Sequence, residues 1–154
     1  MFELALYQPE IPPNTGNIIR LCANFGVPLH IIEPAGFELD DRRLRRAGLD
    51  YHEFASVQRH ADFAAFLAGV RPRRLIGFST KAEYPLHRFH FQPNDVLLFG
   101  PETRGLPAEI REMIPPDQLL RIAMQSGSRS LNLSNAAAIA TYEAARQLDM
   151  PGLE

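Results

Sequence analysis

The chain has 154 residues, 45% of them hydrophobic and 22% charged, which suits one folded domain and excludes a disordered chain. No uncharged apolar run approaches the roughly 18 residues that span a bilayer. A lone cysteine, Cys22, excludes an internal disulfide and a multi-cysteine metal site, and a formal net charge of −2 argues against a simple polycationic binder of nucleic acid. The start, MFELALYQPEIPP, has no basic region and carries Glu3, so it does not read as a signal peptide; the expectation is a cytoplasmic protein.

The distribution of charge says more than its total. There are 15 arginines and one lysine, Lys81. Residues 1–41 carry a net of −5 with Arg20 as their only cation, whereas residues 42–74 carry +5. A local basic face can bind phosphate even when the whole protein is acidic.

Phe2–Tyr7 is short, apolar and aromatic and reads as a buried strand. Pro9, Pro12 and Pro13 interrupt regular structure, and Asn14 is placed to cap a helix from about Thr15 to Phe25, stopped by Gly26 and Pro28. Leu29–Ile32 is the second strand. Asp40 or Asp41 starts a short arginine-rich helix that Gly48 closes. Phe54–Val57 reads as a short strand, Ala61–Leu67 as a helix bounded by Gly69, and Leu75–Phe78 and Val96–Phe99 as buried strands. Pro107–Met113 is a helix with proline near its first turn, Leu119–Ala123 a last strand, and Asn132 to Leu148 a last helix. Helices alternating with short apolar runs imply an α/β fold, with a mostly parallel sheet covered by helices on both faces. Ligands bind such sheets at the carboxyl ends of the strands, which here means the loops Phe78–Lys81, Gly100–Leu106 and Met124–Leu131.

Common chemistries of this fold class are missing. No G-x-G-x-x-G follows the first strand, no phosphate-binding glycine pattern precedes Lys81, and no G-x-S-x-G exists. His87 and His90 have no Cys, Asp or Glu cluster beside them, so no metal site is expected. Cys22 lies on the apolar face of its helix and reads as a small core hydrophobe.

Three segments are polar beyond structural need. In Asn14-Thr15-Gly16-Asn17-Ile18-Ile19-Arg20, a lone arginine on a helix would by itself be a surface ion pair. In Leu97-Leu98-Phe99-Gly100-Pro101-Glu102-Thr103-Arg104-Gly105-Leu106-Pro107, a strand runs into a glycine-bounded loop, which by itself is a turn with Gly105 at positive φ. Hydroxyls and amides crowd the third, from Gln125 through Ser130 to Asn135, where helix capping needs only one of them.

Together the segments NTGNIIR, LLFGPETRGLP and SRSLNLSNAAAIATYE resemble the three motifs of the SpoU branch of the SPOUT methyltransferases. The segments around Glu10-Ile11-Pro12-Pro13 and from Asp41 to His52 look like its TrmL-type subfamily of tRNA wobble-position 2′-O-methyltransferases. The resemblance covers essentially the whole chain, in order. It implies a C-terminal deep trefoil knot, which base rates for chain topology disfavour. It also implies S-adenosylmethionine as methyl donor, S-adenosylhomocysteine as product, and no metal. The cofactor would be held by Phe78, Gly100, Ile122, Met124, Ser130 and Leu131. Arg20 carries over as the catalytic arginine, with Ser130 and Asn132 as its polar partners. The substrate implied is wobble nucleotide 34, a cytidine or modified uridine, of leucine tRNAs, met at the anticodon stem-loop. For RNA contact the expectation is Arg42, Arg43, Arg45, Arg46, Arg129 and Tyr142, all within a single domain over residues 1–154 with no separate RNA-binding domain. The family works as homodimers, and the alanine-rich last helix suits close helix approach. The competing readings are a 2′-O-methyltransferase for another tRNA or rRNA position, and a non-catalytic RNA-binding protein that keeps only the fold. The missing extra domain argues against the first, and joint retention of Arg20, Ser130 and Asn132 against the second.

Overall fold

A computed structural model describes the backbone of residues 1–154 and every side chain except those of Asp41 and Tyr51. Seven strands form one sheet: β1 (Glu3–Tyr7), β2 (Leu29–Ile32), β3 (Val57–His60), β4 (Leu75–Phe78), β5 (Tyr84–Pro85), β6 (Val96–Phe99) and β7 (Leu119–Arg121). The order across the sheet is β3-β2-β1-β6-β4-β7-β5, and every neighbouring pair is parallel. Six helices accompany them: α1 (Pro12–Phe25), α2 (Asp41–Arg46), α3 (Tyr51–Phe54), α4 (Phe63–Val70), α5 (Ala108–Met113) and α6 (Leu133–Gln147).

The apolar runs of β2 and β6 are buried along their whole length because both faces of the sheet are covered. Alternate residues along each strand serve different layers. Leu4, Leu6, Leu97 and Phe99 join Ile18, Ile19 and Cys22 of α1 and Ala137, Ala140 and Ala144 of α6 in one cluster. Ala5, Val96 and Leu98 join Phe66 of α4 and Ile110 of α5 in the other. Burial pushes the Cys22 thiol up to about 12, so it stays protonated and inert in the core.

Several expectations change. Proline does not delay α1: Pro12 and Pro13 occupy its first turn, where the N–H that proline lacks has no helical partner anyway. The residue before the helix is Ile11, and Asn14 is a buried member of the helix rather than its cap. Phe54 ends α3 instead of starting a strand, because Asp50 and Glu53 close a reciprocal capping box ahead of it. α4 runs through Gly69 to Val70, with Asp62 at its start and Arg71 turning left-handed at its end. The strand expected to reach Ala123 stops at Arg121. Asn132 caps α6 from just outside it, its side chain accepting a hydrogen bond from the Ser134 N–H at 2.9 Å. Two-residue β5 had no pattern of its own to reveal it; only its pairing with β7 makes it a strand.

Candidate functional site

The loops leaving β4, β6 and β7 meet at the carboxyl end of the sheet and enclose a cavity of about 480 Å³. That volume falls within the roughly 300–1,000 Å³ of small-molecule sites. Phe78, Gly100, Ile122, Met124, Ser130 and Leu131 all line it, as do Asn132 and Arg129. Eight of the residues singled out in the sequence are therefore brought together. Phe78 and Phe99 are register partners on β4 and β6, and their rings stack 4.6 Å apart at 10° between planes.

Gly100 makes this wall possible. A Cβ at that position would lie 2.2 Å from the Leu106 nitrogen and 2.4 Å from the Gly105 carbonyl carbon, so the loop folds back against its own backbone. Gly105 has φ of +67°, as a tight return of this kind needs. The cavity is also lined by Lys81, Arg104 and Arg121, so cations surround it, against a single carboxylate among the described residues, that of Glu102.

Glu102 is committed elsewhere. Its carboxylate accepts hydrogen bonds from the backbone N–H groups of Glu10 and Ile11, ahead of α1. It thus does from across the fold what a cap residue would do locally. In return the Glu10 carboxylate accepts from the Thr103 N–H at 2.9 Å and the Thr103 hydroxyl at 2.8 Å. The Thr103 N–H, and then its hydroxyl, hold the Glu10 carboxyl below its ordinary value. This exchange ties the start of α1 to the loop after β6. A second tie runs from Asn132 Nδ2, which donates to Asn14 Oδ1 at 3.0 Å.

Arg20 is not in this cavity. It lies six residues beyond Asn14, about 9 Å along the axis and roughly 120° around it. There it lines a second cavity of about 340 Å³, between α1 and the segment from Phe37 to Leu49. Its Nε donates to Glu53 Oε1 at 2.8 Å, and its terminal nitrogen donates to the Gly48 carbonyl at 2.5 Å. Glu53 Oε2 meanwhile accepts from the Asp50 N–H at 2.7 Å, so one carboxylate both caps α3 and aims the arginine. The hydrogen bond to Glu53 and its charge raise the Arg20 pKa further, and the same contact holds the Glu53 carboxyl below its ordinary value. The arginine side chain is still 50% exposed, and the two bonds leave three of its five N–H donors for a ligand.

The remaining expected residues sit apart. Arg42, Arg43, Arg45 and Arg46 are exposed on α2, with Arg43 also lining the second cavity and paired with Glu38 at 3.4 Å. Tyr142 is 57% exposed on α6, edge-on to Phe25. Among the described residues no group of three or more His, Cys, Asp or Glu side chains is placed to hold a metal ion, and no helix is long and apolar enough to cross a membrane.

Sequence reasoning missed Glu10, Glu102 and Glu53. The D-x-x-E spacing of Asp50 and Glu53 was a legible capping signal. Its second use, on Arg20, had no sequence signature, because the partners are 33 residues apart.

A family model described as the SpoU rRNA Methylase family matches residues 1–142. The chain is 59% identical over 152 residues to an Escherichia coli K12 protein named tRNA (cytidine(34)-2′-O)-methyltransferase, covering 99% of this chain and 97% of that one. A solved structure described as "Structural insights into the 2-OH methylation of C/U34 on tRNA" superposes with a TM-score of 0.88 at 48% identity, covering 97% of each chain. The SpoU methyltransferase AviRb from Streptomyces viridochromogenes, solved with the cofactor AdoMet, superposes with a TM-score of 0.81 at 27% identity over 97% of this chain and 58% of its own. An all-parallel sheet with the loops leaving β4, β6 and β7 gathered at one end, together with a match over most of the chain, places this protein in the SpoU methylase family.

Proposed function

We propose that this protein is a tRNA 2′-O-ribose methyltransferase that transfers the methyl group of S-adenosylmethionine to wobble nucleotide 34, a cytidine or uridine, and releases S-adenosylhomocysteine. The observation that carries the reading is the cavity at the strand ends, walled by the loops leaving β4, β6 and β7, the last two of which carry the second and third motifs. The wobble position follows from the relatives, whose names and titles specify nucleotide 34. In this reading residues 1–154 act as one domain in the cytoplasm, with the knotted C-terminal chain path of the family.

The residues of the first cavity fit the donor. The stacked Phe78 and Phe99 give an apolar floor, the Gly100 turn leaves backbone at the wall, and Lys81, Arg104 and Arg129 face a carboxylate. When bound, the donor supplies a methyl group on an already activated sulfonium, so no metal is called for. The chain's own task is to hold and polarise a ribose hydroxyl in line with that methyl, and such placement provides much of the acceleration. Arg20 cannot serve as the base, since guanidinium stays protonated and Glu53 stabilises that form. Its free N–H donors instead hold the substrate phosphate and, with Ser130, orient the hydroxyl.

Within one chain Arg20 and Ser130 line different cavities. A homodimer that presents α1 of one subunit to the first cavity of the other unites them. Exposed Ile139 and Tyr142 on α6 offer an apolar surface for that contact. Arg42, Arg43, Arg45 and Arg46 then serve as phosphate contacts along the anticodon stem-loop.

The test is to map ribose methylation by mass spectrometry in tRNA from cells lacking the protein, and after adding purified protein with S-adenosylmethionine. Restoration of the mark at nucleotide 34 is expected. A mark restored elsewhere, or nowhere, removes this reading.

A further inference from the structure

The second cavity is more than the place where Arg20 emerges. Its walls are apolar and partly aromatic: Pro12, Phe37, Leu39, Leu44 and Leu49. Its polar side chains among the described residues are Thr15, Asn17, Arg20, Glu38 and Arg43. Thr15 lines it and is 1% exposed, yet its hydroxyl has no hydrogen-bond partner among the described residues. Buried hydroxyls are normally paired, but this oxygen has no open surface, so it borders the cavity without facing it. Asn17 lines the same space from an exposed position on α1.

Gly16 makes the second observation. It sits inside α1, where glycine is a poor helix former compared with alanine. Its backbone needs no positive φ, and a Cβ added there would meet Ala47 Cβ and Leu49 Cδ1 at 4.0 Å, ordinary contact distance. Neither strain nor crowding requires glycine here. What its bareness does is keep the space between α1 and the Ala47–Leu49 turn open.

We propose that this cavity receives the base of the nucleotide being methylated, a pyrimidine. The inference rests on the function proposed above. A base is joined to the same ribose whose hydroxyl reacts, so it must lie within one nucleotide of Arg20, and Arg20 lines this cavity. The volume of about 340 Å³ is at the low end of small-ligand sites and suits one nucleoside. Single-stranded bases are read by stacking on aromatic and apolar walls with hydrogen bonds to their edges. Phe37 and the leucines provide the walls, and Asn17 the edge contact. An asparagine amide presents one donor side and one acceptor side and can be turned over, so Asn17 can meet the exchanged edges of cytosine and uracil alike. Arg43 at the rim takes a neighbouring phosphate.

The test uses the full-length protein and tRNA carrying cytidine, uridine or adenosine at position 34. Two variants are compared with wild type: Gly16→Ala and Asn17→Ala. Gly16→Ala should leave the melting temperature unchanged or raised, and S-adenosylmethionine affinity by calorimetry unchanged. It should nevertheless raise KM for cytidine-34 tRNA about tenfold, the loss of one base contact. Asn17→Ala should narrow the gap between pyrimidine and adenosine substrates by a similar factor. Variants that keep wild-type KM and wild-type pyrimidine preference overturn the base pocket while leaving the enzyme's function standing. Variants that dissociate the protein in size-exclusion chromatography, with KM lost only through dissociation, assign the cavity to a subunit contact and overturn it as well. A wild-type protein inactive on every tRNA overturns the underlying function instead.

Discussion

The two cavities are built by opposite means. The first is walled by three loops at the sheet's carboxyl end, and its shape depends on close backbone approach at Gly100. The second lies on the flank of α1, and side chains define it: an arginine aimed by Glu53, the exposed amide of Asn17, and apolar walls from a separate segment. Backbone walls give a rigid site for one fixed ligand. Side-chain walls divide the work among residues that can be changed one at a time. Mutations should therefore fail differently in the two places.

Arg20→Ala offers the largest contrast. Turnover should fall on the order of 10²–10³, as when one donor that stabilises developing charge is removed. Calorimetry should show S-adenosylmethionine binding near normal, because Arg20 does not line the first cavity. Lost cofactor binding would merge the two sites and break the comparison. Gly100→Ala should do the reverse. The added Cβ meets backbone at 2.2 Å, so the loop must move, with a cost of roughly 1–3 kcal/mol in unfolding free energy and loss of cofactor affinity. A variant with unchanged affinity would show that the wall is more pliant than its contacts imply.

Glu53→Gln sharpens the second site. A neutral amide has a single acceptor oxygen, so it can receive the Arg20 hydrogen bond only by giving up that from the Asp50 N–H, and it lacks the charge; kcat should fall by about tenfold, less than in Arg20→Ala, with KM little changed. The pH profile carries the sign. The Glu53 carboxyl is held below its ordinary value by Arg20, so the contact is intact at neutral pH and is lost only as pH falls through that depressed value. In the wild type kcat should therefore hold from pH 8 through the usual carboxylate range, and Glu53→Gln should remove the acid limb that Glu53 contributes. The smallest effect is expected at α2. Charge reversal at Arg42 and Arg43 should weaken tRNA binding and flatten its salt dependence, since each lost phosphate contact lowers the slope by about 0.7–0.9. An unchanged slope would remove this face from the footprint.

Much of this molecule is legible from local pattern. Buried strands read as short apolar runs because both sheet faces are covered, and four of the seven have the expected bounds or differ from them by one residue. The first cavity was legible for the same reason: loops at the carboxyl ends of parallel strands must converge, so the glycine and hydroxyl segments had one place to meet. Misreadings came where a side-chain hydrogen bond, distant or local, overrides what composition suggests. Asn14 looked like a cap, but Glu102, 91 residues from Ile11, does the capping and frees Asn14 to bond Asn132. Phe54 looked like a strand residue until the Asp50–Glu53 box placed it in a helix.

The sequence by itself determined the alternation of strands and helices, the buried faces, the basic stretch and the motif residues, because each depends on spacing or composition within a short window. Tertiary structure alone decided the strand order, the insertion of β7 between β4 and β5, and the division of the motif residues between two cavities. These depend on pairings between residues far apart in the chain, and periodicity contains no information about which distant partner a strand end, a carboxylate or an arginine will meet.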